Sequence, residues 1–107
     1  MIQLFNINTH IIDTSEFSNL LHDKIVTDFE REFASYVGAK YACSVNSATN
    51  AIFLSCYRLN VKSVTIPKKT YLSVPMSIIH SGGKVKFEDL DWSGIYQLKP
   101  YPIWDSC

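Results

Sequence analysis

Ser44-Val45-Asn46-Ser47-Ala48-Thr49-Asn50-Ala51-Ile52 is the stretch whose reading decides the fold. The apolar run Tyr41–Val45 before it reads as a buried strand, and the largely apolar run Ala51–Leu59 after it reads as a buried helix. Between them Asn46-Ser47-Ala48-Thr49 offers small polar residues suited to capping a helix. A strand turning through small residues into a helix leaves backbone N–H groups free at the helix start. With the helix dipole, those donors favour an anion such as a phosphate. An ordinary N-cap accounts for the same residues. The turn has neither the paired glycines and Lys-Ser/Thr of a Walker loop nor a GxGxxG fingerprint.

Outward from this corner the chain alternates. Upstream, Val26, Phe29, Phe33, Tyr36 and Val37 recur on one face of a helix predicted over 25–37, with Asp28, Glu30, Arg31 and Glu32 on the other. Gly38 stands where a left-handed C-terminal cap belongs. Asp13-Thr14-Ser15-Glu16 offers an earlier helix start, followed by Phe17, Leu20 and Leu21 at helical spacing. Downstream, Ser63-Val64-Thr65-Ile66 is a β-branched strand ended by Pro67. The segment 72–80 reads as a helix capped by Ser73, with Pro75 in its first turn, and Lys84–Glu88 alternates as a strand. A brief strand is expected at Gly94–Gln97 and another at Tyr101–Trp104, with Asp105 at the carboxyl end of the latter.

Strand, helix, strand, helix, strand at this spacing implies an α/β fold with a mainly parallel sheet. Ligands of such sheets lie beyond the carboxyl ends of the strands. Those ends here carry 46–49, 68–71 and 89–91. Covering both faces of a parallel sheet takes more helices than these residues supply. The expectation is therefore one incomplete α/β domain over residues 1–107, a piece of something larger or a chain that relies on a partner.

Composition narrows the function. A chain of 107 residues, 47% hydrophobic and 19% charged with zero formal net charge, presents no basic surface for nucleic acid. No apolar run reaches membrane-spanning length, and the N-terminus lacks the pattern of a signal peptide. The three cysteines, without CxxC spacing, fit a reducing cytoplasm, with Cys43 and Cys56 expected as small core residues. His10, His22 and His80 are scattered singly, which argues against a zinc site.

Four segments then agree in order and spacing over roughly 25–91. Residues 29–42, from Phe29-Glu30-Arg31 to Lys40-Tyr41-Ala42, resemble the opening helix and strand of the DegT/StrS sugar aminotransferases. Val45–Ile52 is similar to the family's Ser-Ser-Gly-Thr-Ala-Ala-Leu segment, and Thr65–Tyr71 resembles its Val-Pro-Ser-Phe-Thr-Phe segment. Gly82–Asp91 resembles Gly-Ala-Lys-Pro-Val-Phe-Val-Asp-Val-Asp. The resemblance implies the N-terminal part of an aspartate aminotransferase-like, fold type I large domain, a three-layer α/β/α architecture. It further implies pyridoxal 5′-phosphate as cofactor, a homodimer, and amination of a keto-sugar nucleotide with glutamate as donor.

By the same resemblance Ser47, Ala48 and Thr49 cradle the cofactor phosphate, Tyr71 stacks on the pyridine ring, and Asp105 pairs with the ring nitrogen through an Ile-Trp-Asp-Ser-Cys version of the family's Glu-Asp-Ala-Ala motif. Two departures stand out. Ala48 replaces the usual glycine, so the turn must avoid a positive φ there. The family's Schiff-base lysine lies beyond the Asp motif, and neither Lys68 nor Lys69 matches it. On this reading no catalytic residue falls within the chain, which is expected to be inactive alone. A non-catalytic α/β binding module and a truncated reading frame are the alternatives.

Overall fold

The computed structural model describes residues 24–106. The chain divides into two compact units, Met1–Ser44 and Val45–Cys107. The helix start predicted at 13–16, and Cys107, lie outside the described residues.

In the first unit, α1 spans Lys24–Val37, as its apolar period predicts. Gly38 follows at φ 70°, and its neighbour Ala39 donates from its N–H to Ala34 O at 2.9 Å, closing the last turn. Only Ala34 of this helix is buried, while Phe29 and Phe33 stack on one another half-exposed. The strand predicted at Tyr41–Val45 does not form. A strand needs a ladder partner, and Ser44 instead donates its N–H to the Glu30 carboxylate at 2.7 Å. Cys43, expected in the core, is exposed on this irregular segment.

The second unit carries the core. α2 spans Ala48–Arg58, β1 Ser63–Pro67, α3 Ser73–His80, β2 Lys84–Glu88, β3 Ile95–Gln97 and β4 Trp104–Ser106. β1 and β2 are parallel, with Val64 opposite Val85 and Ile66 opposite Phe87, and α3 forms the crossover between them. α2 packs on α3, placing Ile52 and Cys56 of one against Val74 and Ile78 of the other in a single buried cluster. β1 is buried through Val64, Ile66 and Pro67, whereas β2 has no buried residue, with Val85 and Glu88 half-buried and Lys84, Lys86 and Phe87 exposed. Ile66, Ile78 and Leu98 are fully buried, each stabilising the unit by about 1.5–3 kcal/mol relative to exposure.

The last two strands depart from the expected parallel sheet. β3 and β4 pair antiparallel, with Tyr96 opposite Asp105. Tyr101 N–H bonds to Leu98 O, and Leu98 N–H to Ile103 O, both at 2.9 Å. That turn is too short for anything but an antiparallel return. It includes Tyr101 and Pro102, so the strand predicted at Tyr101–Trp104 begins three residues later, and Asp105 sits in its middle rather than at its end. Thr65 and Lys99 exchange backbone hydrogen bonds of 2.9 and 3.1 Å, joining this hairpin to the free side of β1. The result is a small α/β unit with a short parallel pair extended by an antiparallel hairpin.

Candidate functional site

α2 begins as the sequence predicts. Ser47 is its N-cap in extended backbone, and Ser47 Oγ accepts from Asn50 N–H at 3.2 Å. Ala51 N–H closes onto Ser47 O at 3.0 Å. The amides of Ala48 and Thr49 are then the helix-start donors without an intrahelical partner. Ala48 already has helical backbone, and Asn60 is the one non-glycine with positive φ among the described residues, so alanine carries no strain where the family has glycine. From α3, the buried Ser77 donates its hydroxyl to Thr49 O at 3.3 Å and fixes that first turn.

Tyr71 follows β1 in a loop tied to the segment after β2. Lys68 N–H bonds to Glu88 O at 2.9 Å, and Trp92 Nε1–H donates to Lys69 O at 2.6 Å. The Lys68–Asp89 and Lys69–Asp91 ion pairs, at 3.5 and 3.7 Å, are solvent-exposed and contribute little. The Tyr71 side chain remains largely exposed, and α3 starts directly behind it. Leu72, not the predicted Ser73, is the capping position. Its backbone is already helical and its side chain has no acceptor to cap with, and Val74 N–H is taken by Tyr71 O at 3.0 Å.

These elements meet. Ala48 and Thr49 from α2, Tyr71 from the loop after β1, Ser73 from the start of α3, and Asp105 and Ser106 from β4 line one hollow of about 240 Å³, together with Ile52 and Val74. Four of the five residues singled out from the sequence are therefore brought together, and Ser47 stands next to them as the cap. Asp105 is the one charged side chain among the lining residues. Asp105 Oδ2 accepts from Tyr96 OH at 2.7 Å, and Thr70 Oγ1 is hydrogen-bonded to the same phenol. Tyr96 is not distinguishable from the sequence as a site residue, because the β3–β4 register is what sets it opposite Asp105, and Thr70 joins the site only through that phenol.

The hollow is electrically two-ended. The α2 start favours an anion, and the Asp105 carboxylate favours a cation or a strong donor. A flat ring bearing a phosphate on one side and a protonated ring nitrogen on the other matches both ends, with the Tyr71 face available to it. Pyridoxal 5′-phosphate has that form, so the residues present fit it. A larger hollow of about 410 Å³ runs along α1. Its charged groups are taken up locally: Arg31 by Asp28 at 2.8 Å, Glu30 by Ser44, and Lys40 over the Tyr41 ring.

Comparison with known proteins bears on this geometry. The model of the DegT/DnrJ/EryC1/StrS aminotransferase family matches residues 6–103. The chain is 38% identical over 85 residues to the spore coat polysaccharide biosynthesis protein SpsC of Bacillus subtilis, covering 76% of this chain and 22% of that protein. It is 34% identical over 97 residues to the UDP-4-amino-4,6-dideoxy-N-acetyl-beta-L-altrosamine transaminase of Campylobacter jejuni, covering 83% and 25%. With the dTDP-3-amino-3,6-dideoxy-alpha-D-galactopyranose transaminase of Aneurinibacillus thermoaerophilus it shares 37% over 81 residues, covering 73% and 22%. The chain thus spans about a quarter of the length of these curated relatives. No solved structure matches it significantly. The family match over nearly all of the sequence, with relatives above 30% identity, makes this chain a member of the DegT/DnrJ/EryC1/StrS aminotransferase family.

Proposed function

We propose that this chain supplies the cofactor seat of a pyridoxal 5′-phosphate-dependent aminotransferase that aminates a keto-sugar nucleotide with glutamate as amino donor. The observation that carries the reading is the single hollow shared by the α2 start, Tyr71 and Asp105. Relatives named as transaminases of UDP- and dTDP-linked sugars support this choice of substrate class.

The roles follow from the chemistry of each group. The Ala48 and Thr49 amides and the Thr49 hydroxyl hold the phosphate, with Ser47 fixing the turn that aims them. Tyr71 covers one face of the ring by dispersion and area burial. Asp105 accepts from the ring nitrogen and keeps it protonated. When bound, the cofactor supplies a conjugated ring that accepts electron density from the bond being broken. The reaction also needs a lysine amine, which none of the residues lining the hollow provides. The proposed working form is a cytoplasmic homodimer. Reduced Cys43 and Cys56 are compatible with that compartment.

The test is titration of the full-length protein with pyridoxamine 5′-phosphate, which lacks the aldehyde that would label surface lysines indiscriminately. Unphosphorylated pyridoxamine is the control. Thr49→Ala is expected to weaken the phosphorylated ligand by about tenfold, the worth of one hydrogen bond to a charged group, and to leave the control unchanged. Equal binding of both ligands would remove the phosphate seat. Binding of a nucleotide sugar with no binding of either vitamer would point to a non-catalytic module.

A further inference from the structure

Resting on that cofactor reading, we propose that Tyr96, anchored by Thr70, is the positioning residue that holds Asp105 for the ring nitrogen. Tyr96 stands directly opposite Asp105 in the β3–β4 ladder, so both side chains leave the sheet on the same face. Its phenol donates to Asp105 Oδ2 at 2.7 Å. Having one proton, the phenol spends it there, so its oxygen is the acceptor for the Thr70 hydroxyl. The chain of donors runs Thr70 to Tyr96 to Asp105 and ends on the carboxylate. Oδ1 is left with no hydrogen bond among the described residues, on a side chain that lines the hollow.

Tyr96 is itself hard to move. It is 3% exposed, and its ring lies 4.5 Å from that of Trp92. Trp92 is in turn bonded to the backbone of Lys69. Thr70 directly precedes Tyr71, so the same hydroxyl chain ties the loop carrying the aromatic wall of the hollow to the strand carrying its carboxylate wall. A carboxylate free to rotate would offer the ring nitrogen a poorly aimed acceptor. One oxygen fixed by a buried phenol presents the other in a set direction.

The experiment compares, in the full-length protein, the affinities for pyridoxamine 5′-phosphate and for its 1-deaza analogue, in which C–H replaces the ring nitrogen. The two differ only in the group Asp105 would meet. The unsubstituted protein is expected to prefer the natural vitamer by about tenfold or more, and Asp105→Asn to reduce that preference. Tyr96→Phe keeps the buried ring and is expected to bring the preference to within about threefold, while binding of the deaza analogue changes little. Thr70→Val should shift it the same way by less, and Thr70→Ser should restore it. If Tyr96→Phe weakens both ligands equally, or leaves the preference intact, the positioning role is overturned and the cofactor seat survives. An unsubstituted protein that binds both ligands equally overturns the Asp105 contact as well. One that binds neither overturns the seat and this proposal together.

Discussion

α1 and the core of the second unit make opposite uses of similar residues. α1 has the cleanest apolar stripe in the chain, yet Phe29 is 56% exposed, Phe33 48%, and Ala34 alone is buried. The elements of the second unit are shorter and less regular, and Ile66, Ile78 and Leu98 are each at 0%. Periodicity says which face of a helix is apolar. It does not say that the same residues supply a cover for that face, and burial is what stabilises.

The sharpest way to break this comparison is to cut one side chain from each region. Ile78→Ala empties a fully buried site where α3 meets α2 and β2, and is expected to cost about 2–5 kcal/mol in urea unfolding followed by circular dichroism. Phe29→Ala removes a larger side chain from a half-exposed face, and is expected to cost under about 1 kcal/mol. Equal losses would mean that the stripe of α1 is covered after all.

The same contrast explains what was legible in the sequence. α1, α2, β1, α3 and β2 stand within three residues of where local pattern puts them, because each is specified by its own period and its own end residues: Ser47 before α2, Pro67 closing β1, Gly38 after α1. The misreadings fall where the outcome depends on a partner distant in sequence. Tyr41–Val45 has strand composition, but its Ser44 amide found the Glu30 carboxylate instead of a ladder. The hairpin at 95–106 is antiparallel because of the turn between Leu98 and Ile103, which alternation alone does not announce. The candidate site divides likewise. Thr49, Tyr71 and Asp105 could be picked out because a family motif marks them. Tyr96 could not, since its importance lies in facing Asp105 across a ladder whose register no local pattern shows.

Within the second unit, a smaller substitution separates capping from core. Ser47→Ala removes the side-chain acceptor of Asn50 N–H and leaves the Ala51-to-Ser47 backbone bond in place. The expected loss is about 1 kcal/mol, seen as a lower urea midpoint with unchanged slope. A loss as large as that of Ile78→Ala would mean that the corner at 46–49 depends on this hydroxyl for more than a cap.

The smallest effect belongs to the first unit and is electrostatic. Glu30 accepts from Ser44 N–H at 2.7 Å and from Ser44 Oγ–H at 2.8 Å, and these donors hold its carboxyl below the ordinary value of 4.5, the backbone donor contributing most. A carboxyl lowered in the folded state stabilises that state above its unfolded value, and the contribution fades as pH falls through the folded one. The link between α1 and Ser44 should therefore loosen only in acid, below about pH 4.5. Because the Glu30–Ser44 contact lies at the protein surface, solvent screens the effect and global stability should barely register it. A carboxyl-detected NMR titration reads it directly. Ser44→Ala removes only the hydroxyl donor, so the Glu30 midpoint should rise yet stay below 4.5, because the amide of residue 44 remains. A midpoint that returned all the way to 4.5 would show that the hydroxyl carried the shift, and that the amide does not make the contact that takes the place of the expected strand.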